Sequence, residues 1–200
     1  MRVLMLESHR GIANDAVAEM TEAGYTIVRC DTSDRRVPCR GLAAGGECPL
    51  DEYVDVAVLV QEIGTCHVEH GAVCAARSRV PVIEVDRADI ALRLPIASWT
   101  ATAAPRLLDE CERAAHDGSA HAEAVEGRLV ELGVVTPAEL DQPDGTVAIA
   151  VTRGANRLRL TVDLADSMRD RQTEIVRAAT QALRDFDRQP AVIDVAVRSA

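Results

Sequence analysis

Apolar residues follow different rhythms in the two halves of the chain. Up to residue 100 they gather in short unbroken runs. Residues 2–7, 25–30, 54–60 and 80–85 are such runs and predict strands buried on both faces. Between the first two, residues 11–23 predict a helix, with Ile12, Ala16, Val17 and Met20 at helical spacing and Gly24 at the C-cap position. Residues 64–76 predict a second helix. Residues 31–53 carry Pro38, Gly41, Gly45, Gly46 and Pro49 without a period, which predicts a long loop. Residues 87–104 have no dominant period, and 94–99 offer one short strand. Strands alternating with helices in this way build an open parallel sheet.

The second half reads differently. Pro105 suits the first position of a helix whose face holds Leu107, Leu108, Cys111 and Ala115. After an interruption at Asp117, Gly118 and Ser119, a further face holds Ala122, Val125, Leu129 and Leu132, closed by Gly133. Residues 134–144, with Pro137 and Pro143, predict a connector. Residues 146–152 and 158–162 flank the turn Gly154-Ala155-Asn156 and predict a hairpin. Ile175, Val176, Ala179, Ala182, Leu183 and Phe186 define a helix, and residues 191–197 a last strand. The expected fold class is α/β: a Rossmann-like parallel open sheet over residues 1–100, a helical connector over 101–143, and a small α+β domain of order ββαβ over 144–200.

Composition excludes several chemistries. All 22 basic residues are arginine, so the chain has no lysine for a phosphate-binding P-loop, a Schiff base or a kinase-type nucleotide site. Residues 1–100 hold 10 arginines against 15 acids and residues 101–200 hold 12 against 17, so the net charge of −10 is evenly spread. An acidic chain with four aromatic residues offers nucleic acid neither a basic groove nor a stacking platform. The apolar run at the N-terminus is too short for a signal peptide, and no other run approaches the ~20 residues of a membrane span. The expectation is a cytoplasmic protein with no nucleic-acid or membrane partner, whose cysteines are thiols or metal ligands.

Those cysteines cluster. Cys30, Cys39, Cys48, Cys66 and Cys74 fall within 45 residues, together with His67 and His70. Cys39 and Cys48 bracket a glycine-rich segment, while Cys66, His70 and Cys74 stand at i, i+4 and i+8, on one face if helical. The metal reading takes Cys39, Cys48 and Cys74, with His70, Cys66 or His67 completing the set. Thiolates with imidazole suit zinc, and thiolates alone suit an iron–sulfur cluster. The spacings are longer than those of common zinc knuckles. A reversible thiol pair formed by Cys39 and Cys48 is the alternative, and simple packing accounts for Cys30 and Cys111. A second corner follows the first strand. There Ser8, Arg10 and the Gly11 amide could hold a phosphate or carboxylate, or Ser8 could merely cap the helix. No G-x-G-x-x-G or G-x-S-x-G motif is present.

Two resemblances attach to these segments. In the second half, the 146–151 and 158–164 strands, the 171–186 helix and the 192–197 strand resemble the ββαβ core of the alkaline-shock envelope protein family, and equally the small domain of the iron–sulfur assembly family. The latter's characteristic cysteine has no counterpart, since residues 145–200 contain none. Residues 1–100 resemble flavodoxin-like and receiver folds; a receiver's acceptor aspartate at the end of the third strand is replaced by Gln61-Glu62, and its lysine is missing. The expected function is a non-enzymatic metal-binding regulatory or scaffold protein with an unidentified protein partner. One alternative is a thiol- or metal-dependent enzyme with Cys39 or Cys48 as nucleophile and His67 or His70 as base. The other is a structural homo-oligomer assembled through an exposed sheet edge of the ββαβ domain.

Overall fold

Strands that are apolar at every position need cover on both faces, and the first unit, Met1–Ala115, supplies it. The computed structural model describes residues 1–30, 39, 41, 46–61, 70–85, 99–140, 145–154, 156–190 and 192–199. Five parallel strands form its sheet: β1 (Arg2–Glu7), β2 (Thr26–Arg29), β3 (Val56–Val60), β4 (Val82–Val85) and β5 (Trp99–Thr102), in the order 2-1-3-4-5. Alternate side chains of β1 enter opposite layers. Val3 and Met5 join the layer of α1 (Asn14–Glu22) and α3 (Leu107–His116) through Met20, Leu107 and Cys111. Leu4 and Leu6 join the layer of α2 (His70–Arg77) through Ala72 and Ala75. The expected open α/β sheet is therefore present.

Local differences have local causes. The first helix begins at Asn14, because Gly11 takes a left-handed φ of +93° and the chain turns before it winds. The fifth strand occupies Trp99–Thr102, so the 94–99 reading meets it at one residue; the rest of that segment lies outside the described residues.

The second unit, His116–Ala200, contains α4 (Ser119–Glu131), α5 (Pro137–Leu140), β6 (Val147–Gly154), β7 (Arg157–Leu164), α6 (Gln172–Phe186) and β8 (Val192–Ser199). β6 and β7 pair antiparallel, and β7 and β8 pair parallel, with β7 in the middle. One face is the core: Val147, Val151, Leu158, Leu160, Val162 and Leu164 pack under Val125 and Leu129 of α4 and Ile175, Ala179 and Leu183 of α6. The two helices read as a connector divide between the units, because Leu107 and Cys111 belong to the first core and Val125 and Leu129 to the second. Helix α5 has a sequence signal that periodicity overlooks. Thr136-Pro137-Ala138-Glu139 is a capping box: the Thr136 amide donates to Glu139 Oε2 at 2.6 Å and the Glu139 amide donates to Thr136 Oγ1 at 3.3 Å.

Candidate functional site

A 2-1-3-4-5 sheet has its topological switch between β1 and β3, and ligands of such sheets bind outside the carboxyl ends of those strands. The β1 end is built around Glu7. Its side chain is 4% exposed and forms an ion pair with Arg29 at the end of β2. Its other oxygen accepts the Gly11 amide at 2.5 Å. The positive φ of Gly11 turns the chain that follows this amide away from the strand direction before α1 begins. The Ser8 amide continues the ladder to the Val60 carbonyl at 3.1 Å, and its hydroxyl lies 3.4 Å from His9 Nδ1. Ser8 does not cap α1, whose N-cap is Ala13 with no side-chain cap bond. For the anion site expected of Ser8, Arg10 and Gly11 this geometry has a direct consequence. The Gly11 donor already serves a carboxylate, so an incoming phosphate would have to displace Glu7 and would meet its charge. Glu7, the residue that organises this corner, carried one signal in the sequence: an acid closing an apolar strand.

The sulfur residues distribute as follows. Cys30 and Cys111 are buried and pack in the two opposite layers of the sheet. Burial, reinforced by the neighbouring charges of Glu112 and Glu110, pushes the Cys111 thiol up to about 12, which keeps it protonated and unreactive. Cys39 is half-buried and lies against the layer that α2 covers. Cys48 is half-buried and precedes the turn Pro49–Asp51, whose Leu50 joins the same layer. Gly41 packs on Cys48: a Cβ at Gly41 would sit 3.0 Å from Cys48 Cβ. His70 and Cys74 are exposed on α2, whose Gly71, Ala72 and Ala75 face the core. Cys66 and His67 lie outside the described residues. Among the described residues no group of three or more His, Cys, Asp or Glu side chains is arranged to hold a metal ion. Cys39, Cys48, Cys74 and His70 therefore do not complete a metal site by themselves.

The second unit holds a polar pair that spacing arguments did not single out. His121 on α4 and Asp187 just past α6 are both buried, with Nε2 donating to Asp187 Oδ2 at 2.9 Å. The imidazole meets the Phe186 ring edge-on at 5.2 Å, and the other Asp187 oxygen accepts the Gln189 amide at 3.0 Å. His121 Nδ1 has no hydrogen-bond partner among the described residues. The pair thus ties the start of one helix to the end of the other. Its sequence signal was the i, i+4, i+8 row His121, Val125, Leu129, which places a histidine on a core-facing stripe. An open groove of about 640 Å³ runs between α4 and α5, and Val130, Leu140, Glu123 and Glu126 are among its lining residues. Partial burial, then the charge of Glu123, raises the Glu126 carboxyl above its ordinary value.

Among the described residues no helix is long and apolar enough to cross a membrane. No known protein family and no curated protein matches this chain.

Proposed function

We propose that this is a non-enzymatic regulatory or scaffold protein that takes a soft metal ion on the thiol-bearing side of its first unit. The supporting observation is the approach of Gly41 to Cys48. Gly41 lies against Cys48, and only two Cα–Cα steps of about 3.8 Å separate Gly41 from Cys39. Cys39 also shares its layer with α2, the helix that carries His70 and Cys74. Residues 62–69, with Cys66 and His67, directly precede that helix in the sequence. In this reading Cys39 and Cys48 supply the first two thiolates, and Cys66, His67, His70 and Cys74 are the pool for the remainder. Zinc suits a mixed thiolate–imidazole set, and an iron–sulfur cluster suits thiolates alone. The described cysteines are free thiols, as a reducing cytoplasm would keep them.

Metal would act here by adding its free energy of ligation to the free energy of folding. A partner protein would then read the metal-bound surface. The test is elemental analysis of untagged protein reconstituted with excess zinc, and separately with iron and sulfide. Near-stoichiometric metal, lost in both Cys39→Ser and Cys48→Ser while Cys111→Ser retains it, supports the reading. Metal far below one equivalent in the unaltered chain under both conditions overturns it.

A further inference from the structure

The second unit treats the two edges of its sheet differently. The outer edge of β6 is covered by the segment that enters α4. Asp117 bridges Thr152, His116 Nδ1 lies 3.0 Å from the Arg153 carbonyl, and a Cβ at Gly118 would collide with the Val151 carbonyl oxygen. Among the described residues the outer edge of β8 has no such cover: β8 pairs with β7 alone, and no strand lies beyond it. It is a regular eight-residue strand, in continuous register with β7, containing neither proline nor lysine. Edges of this kind are templates for pairing unless charge, proline or a bulge blunts them. Val195 and Val197 stand on the core-facing side at 39% and 38% exposure, although their register partners Leu160 and Val162 are fully buried. Among the described residues the apolar layer therefore runs out to this edge and stops without a lid.

We propose that β8 pairs antiparallel with β8 of a second copy of this chain, about a two-fold axis through Ala196, to make a continuous six-stranded sheet. The charges select this register. With the axis at Ala196, Val195 opposes Val197 of the second copy, and Asp194 opposes Arg198 of the second copy, twice over by symmetry. An axis at Asp194 or at Arg198 would set like charges against each other. An axis at Val195 or Val197 would leave both charges facing neutral residues. An axis between two residues would oppose core-facing to outward-facing side chains.

The register also extends an existing row. Arg198 already neighbours Asp163 on β7, and Asp194 neighbours Arg159 while holding Arg157 at 3.0 Å. Across the proposed seam the outward face would read Asp163, Arg198, then Asp194 and Arg159 of the second copy, alternating in sign. Opposite charges directly across a strand pair are stabilising and like charges are destabilising. The partner this edge fits is thus another copy of itself. The proposal uses the second unit alone and is independent of the sulfur reading.

The experiment is sedimentation of the full chain, kept reduced, over a wide concentration range. The unaltered protein should form a dimer. Asp194→Arg and Arg198→Asp, each alone, should weaken it roughly tenfold or more, since each sets like charges together at two places. An equimolar mixture of the two variants should recover the dimer. One copy then carries two arginines at these positions and the other carries two aspartates, so opposite charges meet at both crossings. Recovery requires both variants to be folded, so no general loss of structure can imitate it. Should either variant fail to fold, hydrogen exchange of the unaltered chain decides: β8 amides should gain protection with concentration while β6 amides do not. A monomer at every concentration, a mixture no more associated than its components, β8 exchange independent of concentration, or a dimer abolished by Cys39→Ser would each overturn the proposal.

Discussion

The two sheets bury their strands by different rules, and the difference shows where each unit is open to its surroundings. In the first unit β3 is buried at all five positions and β4 at all four, because helices cover both faces. The candidate chemistry described there lies at the carboxyl end of β1, around Glu7 and the Gly11 amide. In the second unit β7 alternates, with Leu158, Leu160, Val162 and Leu164 inward and Arg157 and Arg159 exposed. Among the described residues of that unit, one face and one edge of the sheet stay uncovered. The first unit therefore offers a strand-end site, and the second offers surface.

The sharpest way to break that contrast is to place a charge at matched depth in each sheet. Val58→Asp on β3 puts an unpaired carboxylate at a position with no solvent exposure. It should cost more than about 4 kcal/mol and unfold the first unit, leaving the fluorescence of Trp99 without a cooperative urea transition. Thr161→Asp on the outward face of β7 should cost the second unit under about 1 kcal/mol by urea unfolding followed by circular dichroism. Equal costs would mean that the second sheet is covered on both faces.

A smaller effect separates the cores by chemistry. Asp187→Ala removes the acceptor of a buried histidine and of the Gln189 amide, so the second unit should lose about 3 kcal/mol of stability by urea unfolding followed by circular dichroism. A loss below about 1 kcal/mol would show that the His121–Asp187 tie contributes little beyond packing.

The smallest effect concerns acid. The Thr136 amide, followed by the Thr136 hydroxyl and Arg171, holds the Glu139 carboxyl below its ordinary value. A depressed carboxyl contributes stability above its unfolded value of about 4.3 and loses it as pH falls through the lower folded value. Glu139→Gln should therefore lower the melting temperature slightly at neutral pH, by a margin that shrinks as pH falls below the ordinary carboxyl value of about 4.3. Glu139 is partly exposed, so solvent screening keeps the effect small. An unchanged difference across that range would assign the loss to something other than the charge.

Helices and strands were legible where their cause is local. The 171–186 row of apolar residues predicts α6, and the unbroken run at 54–60 predicts β3, because each pattern is a direct image of which faces are covered. The start of α1 was not, since the turn at Gly11 depends on a bond to Glu7 that no periodicity encodes. At the candidate sites, spacing brought Cys39, Cys48, His70 and Cys74 forward. It could not say that Cys39 packs inward while Cys74 stands on the outer side of α2.

The sequence by itself determined the kinds of element, their order and a set of excluded chemistries. Side-chain period and the absence of lysine are properties that folding does not alter. Only the tertiary structure decided that Glu7 occupies the Gly11 amide, that His121 meets a carboxylate 66 residues away, and that among the described residues β6 is covered at its edge while β8 is not. Each of these depends on which distant backbone segments come to lie side by side. That is set by the closing of whole layers over a shared core, and local composition does not record it.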